Sequence, residues 1–267
     1  MTVDTAALAP HIEDVVDRLE RAETSRTPVG DDGTWPALTL DEAYTAQAAL
    51  FARRTARGEH EAGLKLGFTS AAKMRQMGVS DLIVGRLSAA MRIAEGDVLY
   101  RTALIHPRVE PEVVFRVARD VDLADPDADL ASSIDAVAPA MEIIDSRYEG
   151  FKFDLPRVVA DNTSAARYVT GAWMPLDPPA LGNLAVTLRV DGRDTAFGST
   201  SAILGHPMRT LTRLQALGAR LGLRLKAGAV VLAGAATAAV PLPVGHVEVA
   251  IPTLGRAGIR VEGAGHE

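Results

Sequence analysis

Residues 104–117 read LIHPRVEPEVVFRV, a valine-rich segment whose composition is typical of a β-strand. Two carboxylates, Glu110 and Glu112, interrupt its apolar character, and Pro111 stands between them. Side chains two residues apart on a strand point to the same face, so the two glutamates are predicted to project side by side. Because proline cannot donate a hydrogen bond to a neighbouring strand, Pro111 predicts an edge strand or a strand end.

This pair of acids has two explanations. The simpler one is a strand face exposed to water, on which glutamates are common. The alternative depends on Glu142, which stands in the apolar run AMEIIDS at 140–146. A buried carboxylate is costly unless it is paired, protonated or bound to a cation. If the two strands are neighbours, Glu110, Glu112 and Glu142 form an all-oxygen site of the kind that selects Mg²⁺ or Mn²⁺.

Other polar residues are candidates for a site around these acids. Lys65 stands in an apolar strand flanked by glycines, where it either extends to solvent or, near a metal, stabilises a developing enolate or transfers a proton. Two polar clusters, DSRYEGFKFD at 145–154 and ADNTSAARY at 160–168, are expected to line a pocket for an anionic ligand. Arg147 and Lys152 are the carboxylate-binding candidates there.

Composition narrows the class of protein. The chain has 267 residues, 48% of them hydrophobic, and a formal net charge of -6, without a basic run that would bind nucleic acid. It has no cysteine, which excludes disulfides and thiolate metal sites. No signal sequence, membrane span or glycine-rich phosphate loop is recognisable. The expectation is a cytoplasmic, soluble, acidic protein that binds neither membranes nor a nucleotide cofactor.

The order of elements predicts an α+β fold. The first part is predicted to be helical, and Thr39 and Glu42 are predicted to form a capping box at the start of the second helix. Short strands punctuated by glycine, proline and aspartate follow, which favours a mainly β core that is rolled or barrel-like. We therefore expect an N-terminal helical region, 1–62, packed on a catalytic β-rich domain, 63–267. Within that domain, SSIDAVAPA at 132–140 is predicted to be a short helix broken by proline.

Four motifs taken in order resemble the hydratase/decarboxylase branch of the fumarylacetoacetate hydrolase superfamily. They are GLKLGFTSAAKMRQMGV at 63–79, IHPRVEPEVVF at 105–115, MEIIDSRYEGFKFDLPRVVADNTSAARYVTG at 141–171 and LGHP at 204–207. The resemblance covers most of the chain from about Thr39 to the end. It implies a mixed β-roll or barrel core with flanking helices, and a homo-oligomeric enzyme that acts on a small 2-oxo acid.

The resemblance also implies roles for individual residues. Glu110, Glu112 and Glu142 match the family's ligands of Mg²⁺ or Mn²⁺, Lys65 matches its active-site lysine, and Ser164 matches a serine near the substrate carboxylate.

The chain departs from the family near its C-terminal end. There the family often has two glycines before Thr-Ala, whereas Ala235 and Ala236 precede Thr237 here. We place Thr237 in the substrate site and expect the two methyl groups to change the length or shape of the substrate that fits.

The choice between decarboxylase and hydratase depends on Ile83. Hydratases of this branch typically have Pro-Asp-aromatic-Gly where this chain has Leu82 to Gly85, and Ile83 takes the place of their aspartate. Water addition needs that acid, whereas loss of CO₂ needs an apolar pocket. The resemblance therefore implies decarboxylation of a 2-oxo-enedioate such as 4-oxalocrotonate to 2-hydroxypenta-2,4-dienoate in aromatic meta-cleavage catabolism. Two alternatives remain open: a 2-hydroxypenta-2,4-dienoate hydratase, and a non-catalytic subunit in complex with a related hydratase.

Overall fold

The computed structural model describes residues 8–70, 74–75 and 81–263. In these ranges helices and strands are interspersed, and the α+β class predicted from the sequence is confirmed. The four helices are α1 Pro10–Ser25, α2 Leu40–Ala56, α3 Leu155–Ala160 and α4 Met208–Leu221. None of the helices in the described ranges is long and apolar enough to span a bilayer.

The strands form one large sheet, one smaller sheet and a short pair. Their bounds are β1 Glu61–Gly67, β2 Ile83–Ser88, β3 Arg92–Ile93, β4 Val98–Tyr100, β5 Arg108–Val117, β6 Val121–Asp122, β7 Ile134–Ile144, β8 Ala165–Thr170, β9 Met174–Pro175, β10 Ala185–Val190, β11 Arg193–Ser199, β12 Arg224–Leu225, β13 Val230–Ala235, β14 Val240–Pro241, β15 Gly245–Ile251 and β16 Gly255–Glu262. The large sheet has the order β2-β1-β13-β5-β7-β8-β3, with β14 beside β5 and β9 beside β7. The smaller sheet has the order β11-β10-β15-β16-β4, and β12 pairs with β6.

The large sheet is curled and buries both of its faces. On β5, Val113 and Phe115 point into the main hydrophobic core, while Val114 points to the other face. That other face carries a smaller apolar cluster to which Ala140 of β7 and Leu232 of β13 also belong. Strands with two buried faces are continuously apolar rather than alternating, as residues 113–115 of β5 and 136–141 of β7 are. By strand alternation, Glu110 and Glu112 lie on the face of this smaller cluster.

Helix α2 is fixed by specific polar contacts as well as by apolar packing. The predicted capping box is confirmed: the Thr39 hydroxyl accepts from the Glu42 N–H at 3.2 Å, and the Thr39 N–H donates to the Glu42 carboxylate at 2.8 Å. Further along α2, the buried amide of Gln47 donates to the carbonyls of Val84 at 2.9 Å and Val159 at 2.8 Å. This side chain therefore joins α2 to β2 and to α3.

The prediction of a helix over 132–140 is wrong, because this segment forms most of β7. Its apolar residues are buried on both faces between β5 and β8, which a strand allows and a surface helix does not. The Pro139 carbonyl accepts from Gly171 N–H, so the missing N–H faces the β8 side. On that side, the pairing of β7 with β8 ends at Ala140 and Thr170, before it reaches Pro139. Pro139 therefore removes no hydrogen bond from the sheet.

The prediction that Pro111 marks an edge strand or strand end is also wrong. Strand β5 is interior, with β13 and β14 on one side and β7 on the other. The Pro111 carbonyl accepts from Ala236 N–H at 2.9 Å, so its missing N–H faces β13. The register of β13 shifts there between Leu232 and Ala235. An irregularity in the neighbouring strand thus accommodates the proline.

Candidate metal and substrate site

Three glutamates converge on the second face of the large sheet. Glu110 of β5 lies directly opposite Glu142 of β7, and Glu112 follows on the same face of β5. One carboxylate oxygen from each of the three residues lies within 4.8 Å of the others. Glu112 and Glu142 are fully buried and Glu110 is half-buried. The pairing of β5 with β7, which residue spacing alone does not establish, is what brings the acids together.

The oxygens of this cluster suit a hard divalent cation. One oxygen of Glu112 accepts from the Gly234 N–H at 2.8 Å, but its other oxygen and both oxygens of Glu142 have no hydrogen-bond partner among the described residues. Burial raises the pKa of Glu112 well above its ordinary value, and the charges of Glu142 and Glu110 raise it further. A cation bound by several oxygens would satisfy these groups and remove their repulsion. The residues therefore fit Mg²⁺ or Mn²⁺.

Lys65 lies beside this cluster on β1, which is separated from β5 by β13 in the sheet. Its ammonium nitrogen is 3.1 Å from Glu142 Oε1, a distance at which the charges attract although the approach is not aligned for a hydrogen bond. The same nitrogen donates to the Thr163 carbonyl at 2.9 Å. Burial by itself lowers the pKa of Lys65, but the charges of the three carboxylates outweigh burial and the pKa lies above its ordinary value. Lys65 is thus a buried cation and does not extend to solvent.

An unusual turn positions the carbonyl that Lys65 contacts. Asn162, Thr163 and Ser164 have φ angles of 49°, 55° and 58°, in the left-handed region that residues with a side chain rarely adopt. The side chain of Asn162 holds this turn to β2, because it accepts from Arg86 N–H at 2.7 Å and donates to the Arg86 carbonyl at 2.9 Å. Strained backbone of this kind is concentrated at functional sites.

Ser164 ends this turn and is buried. Its hydroxyl oxygen lies 3.4 Å from a carboxylate oxygen of Asp161, which also accepts from the Ser146 hydroxyl at 3.2 Å. Burial raises the pKa of Asp161 to about 6, against the opposing effect of the Arg147 guanidinium. The structure therefore places Ser164 next to Thr163, whose carbonyl contacts Lys65, with its hydroxyl group directed to Asp161.

Arg147 is committed to this buried network and not to an open pocket. Its guanidinium donates to the side chain and the carbonyl of Asp161, to the Asp145 carbonyl at 2.8 Å and to the Ala165 carbonyl at 3.1 Å. It is buried, and these bonds engage its Nε, Nη1 and Nη2 groups within the fold. This geometry corrects the expectation that Arg147 binds substrate.

Two more predicted site residues lie near the cluster. Ile83 begins β2 opposite Gly67, and a Cβ atom on Gly67 would lie 2.9 Å from Ile83 and 2.7 Å from the methyl group of Thr163. Ile83 therefore belongs to the surroundings of Lys65. Thr237 is half-buried and follows Ala236, whose N–H donates to the Pro111 carbonyl between the two glutamates of β5.

Lys152 differs from these residues. It is exposed and follows the short helical turn Glu149–Phe151. The structure does not bring it into contact with the three carboxylates.

The sequence interpretation missed Gly234, whose N–H is the hydrogen-bond donor to Glu112. Gly234 has φ +106°, and a Cβ atom there would lie 1.9 Å from the Thr69 hydroxyl. A glycine within the apolar run VVLAGAA is a sign of a bulge or of close backbone approach, so a signal was present.

The charge of the assembled group limits its chemistry. Three carboxylates and one ammonium leave two excess negative charges in a buried space, which a divalent cation neutralises. The cation and Lys65 together form an electropositive centre suited to an oxyanion. Such a centre favours reactions in which negative charge develops on a substrate oxygen.

Comparisons with known proteins agree with this geometry. The sequence model of the family described as fumarylacetoacetate (FAA) hydrolase, C-terminal, matches residues 56–262. A 4-oxalocrotonate decarboxylase from a Pseudomonas species is 46% identical over 235 residues, which cover 86% of this chain and 90% of that protein. A 2-keto-4-pentenoate hydratase from Paraburkholderia xenovorans is 31% identical over 239 residues, which cover 88% of each protein.

A solved structure of a related protein has the same fold over almost the whole of this chain. The 4-oxalocrotonate decarboxylase from Pseudomonas putida G7, complexed with magnesium and adipate, has a TM-score of 0.82 and 35% sequence identity, and the match covers 94% of this chain and 98% of that one. The resemblance drawn from the four motifs is thereby confirmed, together with the fold that it implied. The chain belongs to the fumarylacetoacetate hydrolase family, in the branch that contains hydratases and decarboxylases of 2-oxo acids.

Proposed function

We propose that this protein is a divalent-metal-dependent decarboxylase that converts a 2-oxo-enedioate, 4-oxalocrotonate, to 2-hydroxypenta-2,4-dienoate and CO₂. The observation that carries the proposal is a cluster of three glutamates beside a buried lysine, in which oxygens of the fully buried Glu112 and Glu142 have no hydrogen-bond partner among the described residues. The greater identity to decarboxylases than to hydratases supports this reaction over water addition.

Glu110, Glu112 and Glu142 would hold Mg²⁺ or Mn²⁺. When bound, the cation supplies Lewis-acid chemistry, because it polarises the 2-oxo group of the substrate. The Gly234 N–H fixes one oxygen of Glu112 and leaves the other available. The three side chains belong to two adjacent strands and are therefore held in position by the sheet itself.

Lys65 is the proposed catalytic residue. In the reaction, the bond between the distal carboxylate and its methylene carbon breaks, CO₂ leaves, and the electron pair moves through the conjugated chain to the 2-oxo oxygen. The buried ammonium of Lys65 stabilises the negative charge that develops on this oxygen and supplies a proton to it.

The remaining residues shape the substrate site. Ile83 contributes an apolar wall next to Lys65, in agreement with a reaction that releases CO₂ and does not activate water. Ser164 and Thr237 line the substrate from the left-handed turn and from the segment after β13, and the exposed Lys152 attracts the anionic substrate from outside. Arg147 has no part in binding, since its guanidinium is used within the fold.

The proposal includes the setting of the enzyme. The protein acts in the cytoplasm in the catabolism of aromatic compounds, assembles as a homo-oligomer, and forms a complex with a related hydratase that consumes its product. The region 1–62 is a helical cover on the catalytic region 63–267.

The test is to supply 4-oxalocrotonate with Mg²⁺ or Mn²⁺ and to follow CO₂ release and ultraviolet absorbance. We expect metal-dependent CO₂ loss that chelation abolishes. Hydration of 2-hydroxypenta-2,4-dienoate without CO₂ release would establish the hydratase instead. Unchanged activity of a hydratase complex assembled with the Glu112→Gln variant would identify a non-catalytic subunit.

A further inference from the structure

A cation shares a strand face with the metal-ligand candidates. Arg108, Glu110 and Glu112 occupy alternate positions on β5, and their pairing with Ile144, Glu142 and Ala140 on β7 is regular over this stretch. All three side chains therefore project from the same face of the sheet. Arg108 is half-buried, at the end of β5 where the chain enters the strand.

The charge of Arg108 has no ion-pair partner among the residues that the structure describes. Its guanidinium carbon lies 4.4 Å from the centroid of the Phe151 ring, but it makes no hydrogen bond or ion pair with another described residue. Arg116, on the same face of the same strand, differs because it donates to both oxygens of Asp135 at 3.0 Å and 2.8 Å. The donors of Arg108 are therefore available to an external anion.

Phe151 provides a platform that holds this guanidinium. The Phe151 ring contacts both the Arg108 guanidinium and the ring of His106, and the centroids of the two rings are 5.0 Å apart. Stacking on an aromatic face leaves the edge of the guanidinium, which carries the N–H groups, free to bind a carboxylate. Phe151 has φ +60° and follows Gly150 at φ +62°, so a left-handed turn sets the position of the ring.

We infer that Arg108 binds the distal carboxylate of a dicarboxylate substrate whose 2-oxo-acid end lies at the three glutamates. This assignment rests on the proposed function and specifies how the substrate is oriented. Two residues along a strand span about 6.6 Å. The two carboxyl carbons of an extended six-carbon diacid are separated by about 6 Å, given carbon–carbon bonds of about 1.5 Å. The step from Glu110 to Arg108 thus matches the length of the substrate.

The chemistry predicts a characteristic kinetic effect. The distal carboxylate leaves as neutral CO₂, so a cation beside it stabilises the bound substrate more than the transition state. Arg108 therefore contributes to capture and selection of a dianion rather than to bond breaking. Its removal should raise KM and leave kcat unchanged or higher.

The experiment compares adipate, which has two carboxylates, with pentanoate, which has one. Their dissociation constants are measured by titration calorimetry on the Mg²⁺-loaded protein and on its Arg108→Gln, Arg108→Lys and Arg116→Gln variants. We expect the unaltered protein to prefer adipate, and Arg108→Gln to weaken adipate by about 10- to 100-fold without affecting pentanoate. The adipate affinity of Arg108→Lys should lie between those of the unaltered protein and Arg108→Gln, because lysine keeps the charge but cannot donate two parallel hydrogen bonds to a carboxylate. Arg116→Gln should bind like the unaltered protein.

Three outcomes would overturn the assignment. They are equal affinity of the unaltered protein for both acids, an undiminished preference for adipate in Arg108→Gln, and loss of Mn²⁺ binding in that variant, which would indicate a structural role. Failure of the proposed function is a separate result, since it appears as absence of CO₂ release by the unaltered protein. The adipate comparison still tests Arg108 in that case.

Discussion

Glu112 is the side chain on which the proposed metal site depends most directly. It is fully buried, one oxygen is fixed by a backbone N–H, and the other has no partner among the described residues. In Glu112→Gln the side chain is a neutral amide, so a charged metal ligand is lost. Loss of a residue that only supports a metal ligand lowers metal affinity by about 10- to 100-fold, and we expect Glu112→Gln to lower Mn²⁺ affinity by more than that. Titration calorimetry with Mn²⁺ measures this loss.

The matched control is Glu248→Gln, because Glu248 lies outside the cluster and pairs with arginines. It should retain full affinity. The metal-free Glu112→Gln protein should unfold at the same or a higher urea concentration, since a costly buried charge has been removed. Unaltered Mn²⁺ affinity in Glu112→Gln would rule out this site.

The proposed catalytic role of Lys65 can be tested separately from metal binding. Lys65→Met keeps the length of the side chain and removes its charge, so we expect kcat to fall by about 10²- to 10³-fold, the scale of losing one group that stabilises an oxyanion. Mn²⁺ affinity should be retained or increased, because a competing cation 3.1 Å from Glu142 is removed. Steady-state kinetics and Mn²⁺ titration check the two effects. Lys226→Met, at an exposed position, is the control, and parallel losses of kcat and Mn²⁺ affinity would contradict a separate role.

Individual residues differed in how far the sequence revealed them. Glu142 was recognisable because a carboxylate in an apolar run needs a partner, and the fold supplies the neighbouring strand. Arg147 was misassigned because its partner, Asp161, is distant in sequence and only the folded chain brings the two together. Arg108 was not singled out from the sequence, because its lack of a hydrogen-bond partner among the described residues is a property of the folded chain.

At the scale of elements, strand and helix were hardest to distinguish where both faces are buried. Residues 134–144 form one strand although alanines and Pro139 favoured a break, because apolar residues at successive positions fit an interior strand. The capping box of α2 was predictable, since it depends only on residues close in sequence. The order of strands in the sheet was not predictable, because it depends on contacts between residues that are distant in sequence.

The irregularity in β13 connects an element to the site. In Gly234→Ala the added Cβ would overlap the Thr69 hydroxyl, and the N–H that fixes Glu112 would shift. Gly228→Ala is the matched control, because Gly228 also has a positive φ, +85°, but has open space around its Cβ position. We expect Gly228→Ala to lose about 1–2 kcal/mol of stability from backbone strain alone.

Gly234→Ala should lose more stability than this control and should also bind Mn²⁺ more weakly. Urea unfolding and Mn²⁺ titration of both variants measure the two properties. Equal losses in the two glycine variants, with full Mn²⁺ affinity in both, would show that the contact between Gly234 and Thr69 has no influence on the site.

The N-terminus of α2 predicts a pH dependence of stability. The Thr39 N–H, the Thr39 hydroxyl and His11 lower the pKa of Glu42 from 4.5 to about 2. A lowered pKa means that the folded state favours the ionised group, so this stability is fully present above pH 4.5 and is lost as the pH falls toward 2. Glu42→Gln keeps the capping geometry without the charge.

Urea unfolding of the unaltered protein and Glu42→Gln between about pH 6 and pH 3 tests this linkage. The difference between their free energies of unfolding should be constant near neutral pH and should shrink below the ordinary pKa of a glutamate. A difference that stays constant over the whole range would contradict the assigned shift.

At the scale of the whole molecule, the N-terminal helices share their core with the sheet. Leu19 of α1 and Leu50 of α2 belong to the same hydrophobic cluster as Val113. The backbone of Val29 pairs with the segment after β7, accepting from Glu149 N–H at 2.9 Å and donating to the Arg147 carbonyl at 2.8 Å. A cover that has no separate core is expected to unfold with the domain that it covers.

The two tryptophans of the chain allow this expectation to be tested. Trp35 lies in the N-terminal region against the ring of Tyr148, at a centroid distance of 5.0 Å, whereas Trp173 follows β8 on the large sheet. Trp173→Phe leaves a reporter of the helical region, and Trp35→Phe leaves a reporter of the sheet. At a fixed protein concentration, each fluorescence transition in urea should coincide with the circular dichroism transition of the same variant. If the Trp35 fluorescence changed at a lower urea concentration than the circular dichroism of the same variant, region 1–62 would be a separate unit. The proposed catalytic region could then be studied without it.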